Sequence, residues 1–276
     1  MTERTTRVNG LHVRYLEEGE GLPMVLLHGA SLGSSSDGFQ CNLKPLAAAG
    51  IRAIAPDRPG FGDSDGPLLT SPAQHRQFVL GFLDALGIQS AIIVGHSQQS
   101  AVAALLALDD ADRVPKAIIL GGGGVLPPPP GGAPGEPDGE RIDTEPSLDW
   151  TRDQLEKNLY NYALITPEAI EVRNRMSRGK AFKNYAERPA GGGRGGGAPA
   201  ATPLWKRVGE HPELFLLMFG RNDKPHTAQC CDLASHTYPA LRLLLLDGCS
   251  HLVHWDQADV FVRETIAFAK GARVAV

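Results

Sequence analysis

The sequence predicts an α/β protein: a mostly parallel, doubly wound sheet with an inserted helical lid. Three observations predict it. First, short apolar runs recur at 22–29, 51–57, 90–96, 115–122, 213–220 and 241–248. They are continuous rather than alternating, which suits strands buried on both faces of a parallel sheet. Second, helical periodicity fills most gaps, near 39–49, 72–86, 97–108, 227–237 and 256–270. Strands alternating with helices build right-handed crossovers. Third, the alternation breaks once, after Gly121.

The elements follow in order. "TTRVNGLHVRYLEEG" alternates apolar and polar residues around Asn9-Gly10, the signature of a hairpin with a tight turn. Strands and helices then alternate as far as Gly121. Next comes "GGGGVLPPPPGGAPGEPDGE", which neither a helix nor a central strand tolerates. A mostly helical stretch covers 146–187, and "RPAGGGRGGGAPAATP" leads back to the strand pattern near 213. The expected division is a core of 1–121 and 206–276, with 122–205 inserted as a lid whose Trp150, Leu159, Tyr162 and Leu164 wall a pocket. The glycine-rich 191–197 follows no strand and lacks GK[ST], so it reads as a flexible linker rather than a phosphate loop.

Bulk properties narrow the function. The chain has 276 residues, a formal net charge of −4 and 42% hydrophobic residues. That describes a globular protein without the basic footprint of a nucleic-acid or anionic-membrane binder. The four cysteines show no CxxC spacing and read as free thiols. The N-terminal "MTERTTRVNG" has no apolar signal region, and no apolar run reaches a membrane-spanning length. A cytoplasmic protein acting on a small-molecule substrate is expected, with no metal, cofactor, membrane or nucleic-acid partner. A homo-oligomer is left open.

The chemistry centres on "IIVGHSQQSAVAALLAL", 92–108. A strand, Gly95-His96-Ser97 and a helix form the context of a nucleophile elbow, where a sharp turn presents the serine at the sheet end. The plainer reading of Ser97 is a helix N-cap. Its partners argue for a nucleophile. Asp223 lies just beyond one strand, and His251 just beyond the next. A serine hydroxyl needs a base, His251 can serve, and Asp223 can orient the imidazole. Backbone N–H groups of Ala30 and Gln98 are the expected oxyanion donors, with His28 bracing the first of these turns. Gln99 stands where the elbow prefers glycine. It is expected to aim its amide at backbone groups beneath the sheet end, in space left by Gly121–Gly124, while Gln98 faces the pocket.

These residues resemble the α/β-hydrolases. Within that fold "HGASLGSSSDGFQCNLKPLAAAGIRAIAPDRPGFGDSDGP" (28–67), "FGRNDKP" (219–225) and "CSHLVHWDQADVF" (249–261) resemble the meta-cleavage product hydrolases. The resemblance implies hydrolysis of a C–C bond in a vinylogous diketone. It implies Arg173, in "AIEVRNRM", as a ligand for the substrate carboxylate, and Trp255 at the pocket. Ser31 and His96 complete the expected substrate-binding set, while Asp57, Arg58 and Asp63 of the "DRPGFGDSD" turn are expected to be structural. The sequence departs from that family at His96, where it carries Asn, at Gln99 and Ser100, where it carries glycine, near Gly38-Phe39, where a polar residue is expected, and at Leu252, where tryptophan often follows the catalytic histidine. Ester or lactone hydrolysis therefore stays open, as do a cofactor-free lyase or peroxidase and a non-catalytic binding protein on the same fold.

Overall fold

The structure is a computed structural model that describes residues 1–129, 142–188 and 202–271. Residues 130–141 of the proline- and glycine-rich stretch and the glycine-rich 191–197 fall outside the described residues. Eight strands form one sheet: β1 (Thr2–Val8), β2 (Leu11–Glu18), β3 (Leu22–Leu27), β4 (Ile51–Pro56), β5 (Ile92–His96), β6 (Ala117–Leu120), β7 (Phe215–Gly220) and β8 (Arg242–Leu246). Their order is β1-β2-β4-β3-β5-β6-β7-β8. The β1–β2 and β2–β4 pairs are antiparallel and the remaining pairs parallel. Asn9 and Gly10 turn the β1–β2 hairpin with φ of 50° and 84°, the twin positive values of a type I′ turn.

Continuous apolar runs become two cores because successive side chains on a strand point to opposite faces. Val25, Leu27, Ile93, Ile119 and Leu217 pack on one face with α2 (Pro72–Ala85), α3 (Gln99–Asp109) and α8 (Thr227–Thr237). Met24, Leu26, Val94, Ile118 and Met218 pack on the other with α1 (Gln40–Ala48) and α10 (Ala258–Ala269). Local chemistry sets the starts: α2 opens on a capping box between Ser71 and Gln74, with a proline in its first turn.

The predicted helix over 256–270 is two pieces. Gln257, at φ −128° and ψ 47°, separates the short α9 (Val253–Asp256) from α10. Likewise 146–187 divides into α4 (Leu148–Glu156), a 3-10 turn at Tyr162–Leu164, α5 (Pro167–Met176) and α6 (Lys180–Ala186). Thr166 caps α5, and Asn174 ties α5 to the start of α4 through Pro146 O and Thr151 Oγ1. Leu155, Leu159, Ile165 and Ile170 form a third cluster with Leu252 of the core. Each such buried side chain is worth about 2 kcal/mol, so the insertion is pinned to the loop that carries His251. The next helix, α7 (Leu204–Glu210), packs on α3.

Close approach of α3 to the sheet depends on glycine. A Cβ on Gly95 would sit 2.3 Å from Gln99 O, and one on Gly122 would sit 2.1 Å from Ser100 Cβ. A Cβ on Gly124 would meet nothing within 4 Å. Gly122→Ala should therefore cost about 3 kcal/mol by overpacking, and Gly124→Ala almost nothing. Ser100→Gly should restore much of the loss in Gly122→Ala. Urea unfolding of the four proteins checks this, and equal stability of the two alanine variants would contradict the packing.

Candidate active site

The strand-to-helix turn after β5 holds Ser97 at φ 57°, left-handed for a non-glycine residue. Such a conformation costs on the order of 1–3 kcal/mol and persists only where its surroundings impose it. Here Ser97 N–H donates to Leu120 O on β6 at 2.8 Å, and Ser100 N–H donates to Ser97 O at 3.0 Å. The position before α3 is Gln98, and no side chain caps the helix. The geometry is that of an elbow, not of a serine N-cap.

Gln99 is fully buried, and its Nε2 lies 3.4 Å from Nδ1 of His75 on α2. It points to a side chain on the neighbouring helix rather than to backbone groups beneath the sheet. The space at Gly122 serves Ser100, not Gln99. Nor does Gln98 line the cavity described below: its Oε1 stands 3.5 Å from the Gln99 amide.

At the far strand ends, Asp223 stands three residues beyond β7 and His251 five beyond β8. The His251 Nδ1–H donates between both Asp223 carboxylate oxygens, each at 3.0 Å. That bond fixes the tautomer and leaves Nε2 as an acceptor. His96 Nε2–H donates to the His251 carbonyl at 3.0 Å, and the two rings lie 4.8 Å apart. A Cβ on Gly29 would lie 3.1 Å from His96 Nδ1 and 3.2 Å from Ser97 Cβ. The oxyanion-type turn, the elbow and His251 thus converge.

They border a cavity of about 530 Å³. Ser31, His96, Arg173 and Trp255, all expected from the sequence, line it. Ser97 itself is not part of the lining; Gly29 and His96, which flank it, and His251 are. The insertion contributes Leu164, Val172 and Arg173, but not Trp150, Leu159 or Tyr162. Leu159 is committed to the cluster beneath, and Tyr162 is exposed. Trp255 Nε1–H donates to Gly38 O, joining the cavity wall to the first loop.

Burial keeps four histidines in this region neutral, His28, His75, His96 and His254. It holds His28 and His96 well below the usual imidazole range, and takes His75 and His254 down to about 3. His254, three residues beyond His251 and stacked on Phe39 at 4.4 Å, is a lining residue that sequence reading missed. Its helical spacing from His251 was the available signal. Arg173 is the opposite case. Burial lowers its pKa to about 10, so it stays a cation, and its Nε is buried with no partner among the described residues. The "DRPGFGDSD" acid does act structurally: Asp57 accepts N–H bonds from Ser36 and Asp63 and pairs with Arg14.

The profile of the alpha/beta hydrolase family matches residues 24–264. The chain is 29% identical over 273 residues to 2-hydroxy-6-oxo-6-phenylhexa-2,4-dienoate hydrolase of Burkholderia cepacia, covering 95% of this chain and 92% of that protein. It is 30% identical over 271 residues to 2-hydroxy-6-oxononadienedioate/2-hydroxy-6-oxononatrienedioate hydrolase 2 of Pseudomonas putida, covering 94% and 91%. Among solved structures, a meta-cleavage product hydrolase from Pseudomonas fluorescens IP01 superposes with a TM-score of 0.76 at 24% identity, over 98% of each chain.

The buried histidines set an acid limit to stability. Above pH ~6.5 their imidazoles are neutral in both the folded and the unfolded chain and contribute no pH dependence. Below it the unfolded chain binds protons that the folded protein refuses. Stability then falls by about 1.4 kcal/mol per pH unit for each such histidine. For His75 and His254 this continues until the pH nears 3. Urea titrations between pH 6.5 and 5 should show this slope, and His254→Phe should make it shallower by up to one proton. An unchanged slope would contradict neutral burial of His254.

Proposed function

Because the chain belongs to the α/β-hydrolase family, we propose that it is a serine hydrolase that breaks a C–C bond in a small vinylogous diketone bearing a carboxylate. Ser97 is the nucleophile, His251 its base, and Asp223 holds the imidazole through the bonds at 3.0 Å. The N–H groups of Ala30 and Gln98 receive the oxyanion. Residues 122–205 act as the lid, supported by Leu164, Val172 and Arg173 in the cavity wall. The proposal extends to the cytoplasm, in keeping with four unpaired cysteines.

The observation that carries the substrate class is Arg173: a half-buried guanidinium whose buried Nε has no partner among the described residues, in a cavity lined mainly by uncharged groups. A guanidinium left without a carboxylate of its own is suited to taking one from a ligand, because the fork matches two oxygens. The chemistry needs that anchor. On 2-hydroxy-6-oxo-6-phenylhexa-2,4-dienoate, the substrate in the name of the Burkholderia cepacia relative, the dienol must first become the 2,6-dione. Ser97 Oγ then adds to C6 while its proton passes to His251. The C5–C6 bond breaks, its electron pair delocalises through the C3–C4 double bond onto the 2-oxo group beside the carboxylate, and that oxygen takes the proton held by His251, C5 having gained its second hydrogen in the earlier ketonisation. Water then releases benzoate from Ser97, the other product being 2-hydroxypenta-2,4-dienoate. Arg173 at the carboxylate end steadies the charge that arrives there. Ser31, His96 and Trp255 shape the remaining wall.

The test is turnover of this dienoate, followed by loss of its conjugated chromophore and by chromatography of both products. Arg173→Gln should raise KM about 10- to 100-fold, the worth of a hydrogen bond to a charged group. Arg173→Lys should recover part of the loss, and hydrolysis of 4-nitrophenyl acetate should be insensitive to either change. Turnover of the ester without the dienoate, or an unchanged KM in Arg173→Gln, would contradict the proposal.

A further inference from the structure

A second buried cation lies behind the turn that carries Ala30. Arg58 is 1% exposed, makes no ion pair among the described residues, and has its pKa pulled down to about 9 by burial. It remains charged at neutral pH. Its Nε is buried without a partner among the described residues, and its guanidinium lies 4.5 Å from the Phe61 ring centre. A buried charge without a counterion is costly, so its remaining contacts matter. Two hydrogen bonds from Arg58 and one from His28 close a ring. Arg58 Nη2–H donates to Gly29 O at 2.6 Å. The Arg58 backbone N–H donates to His28 Nε2 at 3.0 Å. His28 Nδ1–H donates to the same Gly29 O at 2.8 Å.

Both side chains therefore grip one carbonyl, and that carbonyl belongs to the peptide unit whose N–H is that of Ala30. In a trans peptide the C=O and the N–H point in opposite directions. Fixing Gly29 O against Arg58 and His28 fixes Ala30 N–H facing the other way. That N–H makes no hydrogen bond among the described residues. Donors on the carbonyl, one of them cationic, also polarise the peptide and make its N–H a stronger donor. We propose that Arg58 is a positioning residue of the oxyanion hole, aiming and polarising the Gly29–Ala30 peptide toward the negative charge that forms during catalysis. The inference rests on the serine mechanism proposed above, with Ala30 as an oxyanion donor. The "DRPGFGDSD" turn then does more than brace the fold, since the full charge of Arg58 is held where a transient anion would balance it.

The probe is phenylboronic acid. It adds to Ser97 Oγ, whose proton passes to His251, and the boron becomes a tetrahedral anion with one oxygen in the oxyanion hole. Arg58→Met and Arg58→Lys are compared with the unaltered protein in kcat, in boronate affinity and in affinity for benzoate, which contains no tetrahedral centre. Arg58→Met should lower kcat and boronate affinity together by about 10- to 100-fold, less than outright removal of an oxyanion donor. Arg58→Lys should lower both by roughly 3- to 10-fold, and benzoate affinity should hold in each. Any folded variant with unchanged kcat, or with kcat lost while boronate affinity holds, would overturn the role. Should Arg58→Met not fold, the Lys variant decides by the same criteria. Ser97→Ala separates this inference from its premise. Equal boronate binding by Ser97→Ala and the unaltered protein defeats the serine mechanism. Binding that needs Ser97 but ignores Arg58 defeats this inference alone.

Discussion

The closeness with which α3 can fold back on β5 is the constraint from which the site follows. With a Cβ-free Gly95, the chain reverses within two residues and α3 lies against the strand it came from. The reversal forces Ser97 to φ 57° and puts it where β3, β5 and β6 end together. Gly122 gives the same freedom to Ser100, and Gly29 keeps the neighbouring loop near enough to touch Ser97 and His96. Parallel strands then bring Asp223 and His251 to the same edge, because every βα connection in such a sheet leaves from the carboxyl ends.

Electrostatics separate this edge from an ordinary loop cluster. The surrounding histidines, His28, His96 and His254, are held neutral by burial. Two guanidiniums that make no ion pair among the described residues stand beside them, Arg58 behind the Gly29 turn and Arg173 in the cavity wall, with Asp37 and Glu168 elsewhere in the lining. An interior with unbalanced cations is suited to receiving anions, one carried in by the ligand and one created during the reaction. Substituting His96 for the expected asparagine fits the same design, because its Nε2–H holds the His251 backbone while its ring adds no charge.

The parallel sheet with its alternating helices and the pairing of His251 with Asp223 were readable from sequence because each rests on a local rule: apolar run length, turn chemistry and position just beyond a strand. The cavity positions of Ser31, His96, Arg173 and Trp255 were readable through motif context. What escaped depended on contacts between distant segments. Gln99 turns toward His75, which only the packing of α2 on α3 decides. Leu159 is committed to the cluster with Leu155, Ile165 and Ile170, while Leu164 packs against that cluster and also reaches the cavity, because 146–187 breaks at a 3-10 turn that periodicity blurs. Arg58 read as scaffold because its bond to Gly29 spans 29 residues.

The unity of Ser97 and His251 is the claim on which the proposed chemistry stands, and a double-mutant cycle in kcat for the dienoate measures it directly. Groups that act as a unit lose their effect together. Ser97→Ala/His251→Ala should therefore be no slower than the worse single variant, within about threefold. A double variant whose loss equals the sum of the two single losses in free energy would mean that the residues act independently, and the mechanism would be wrong.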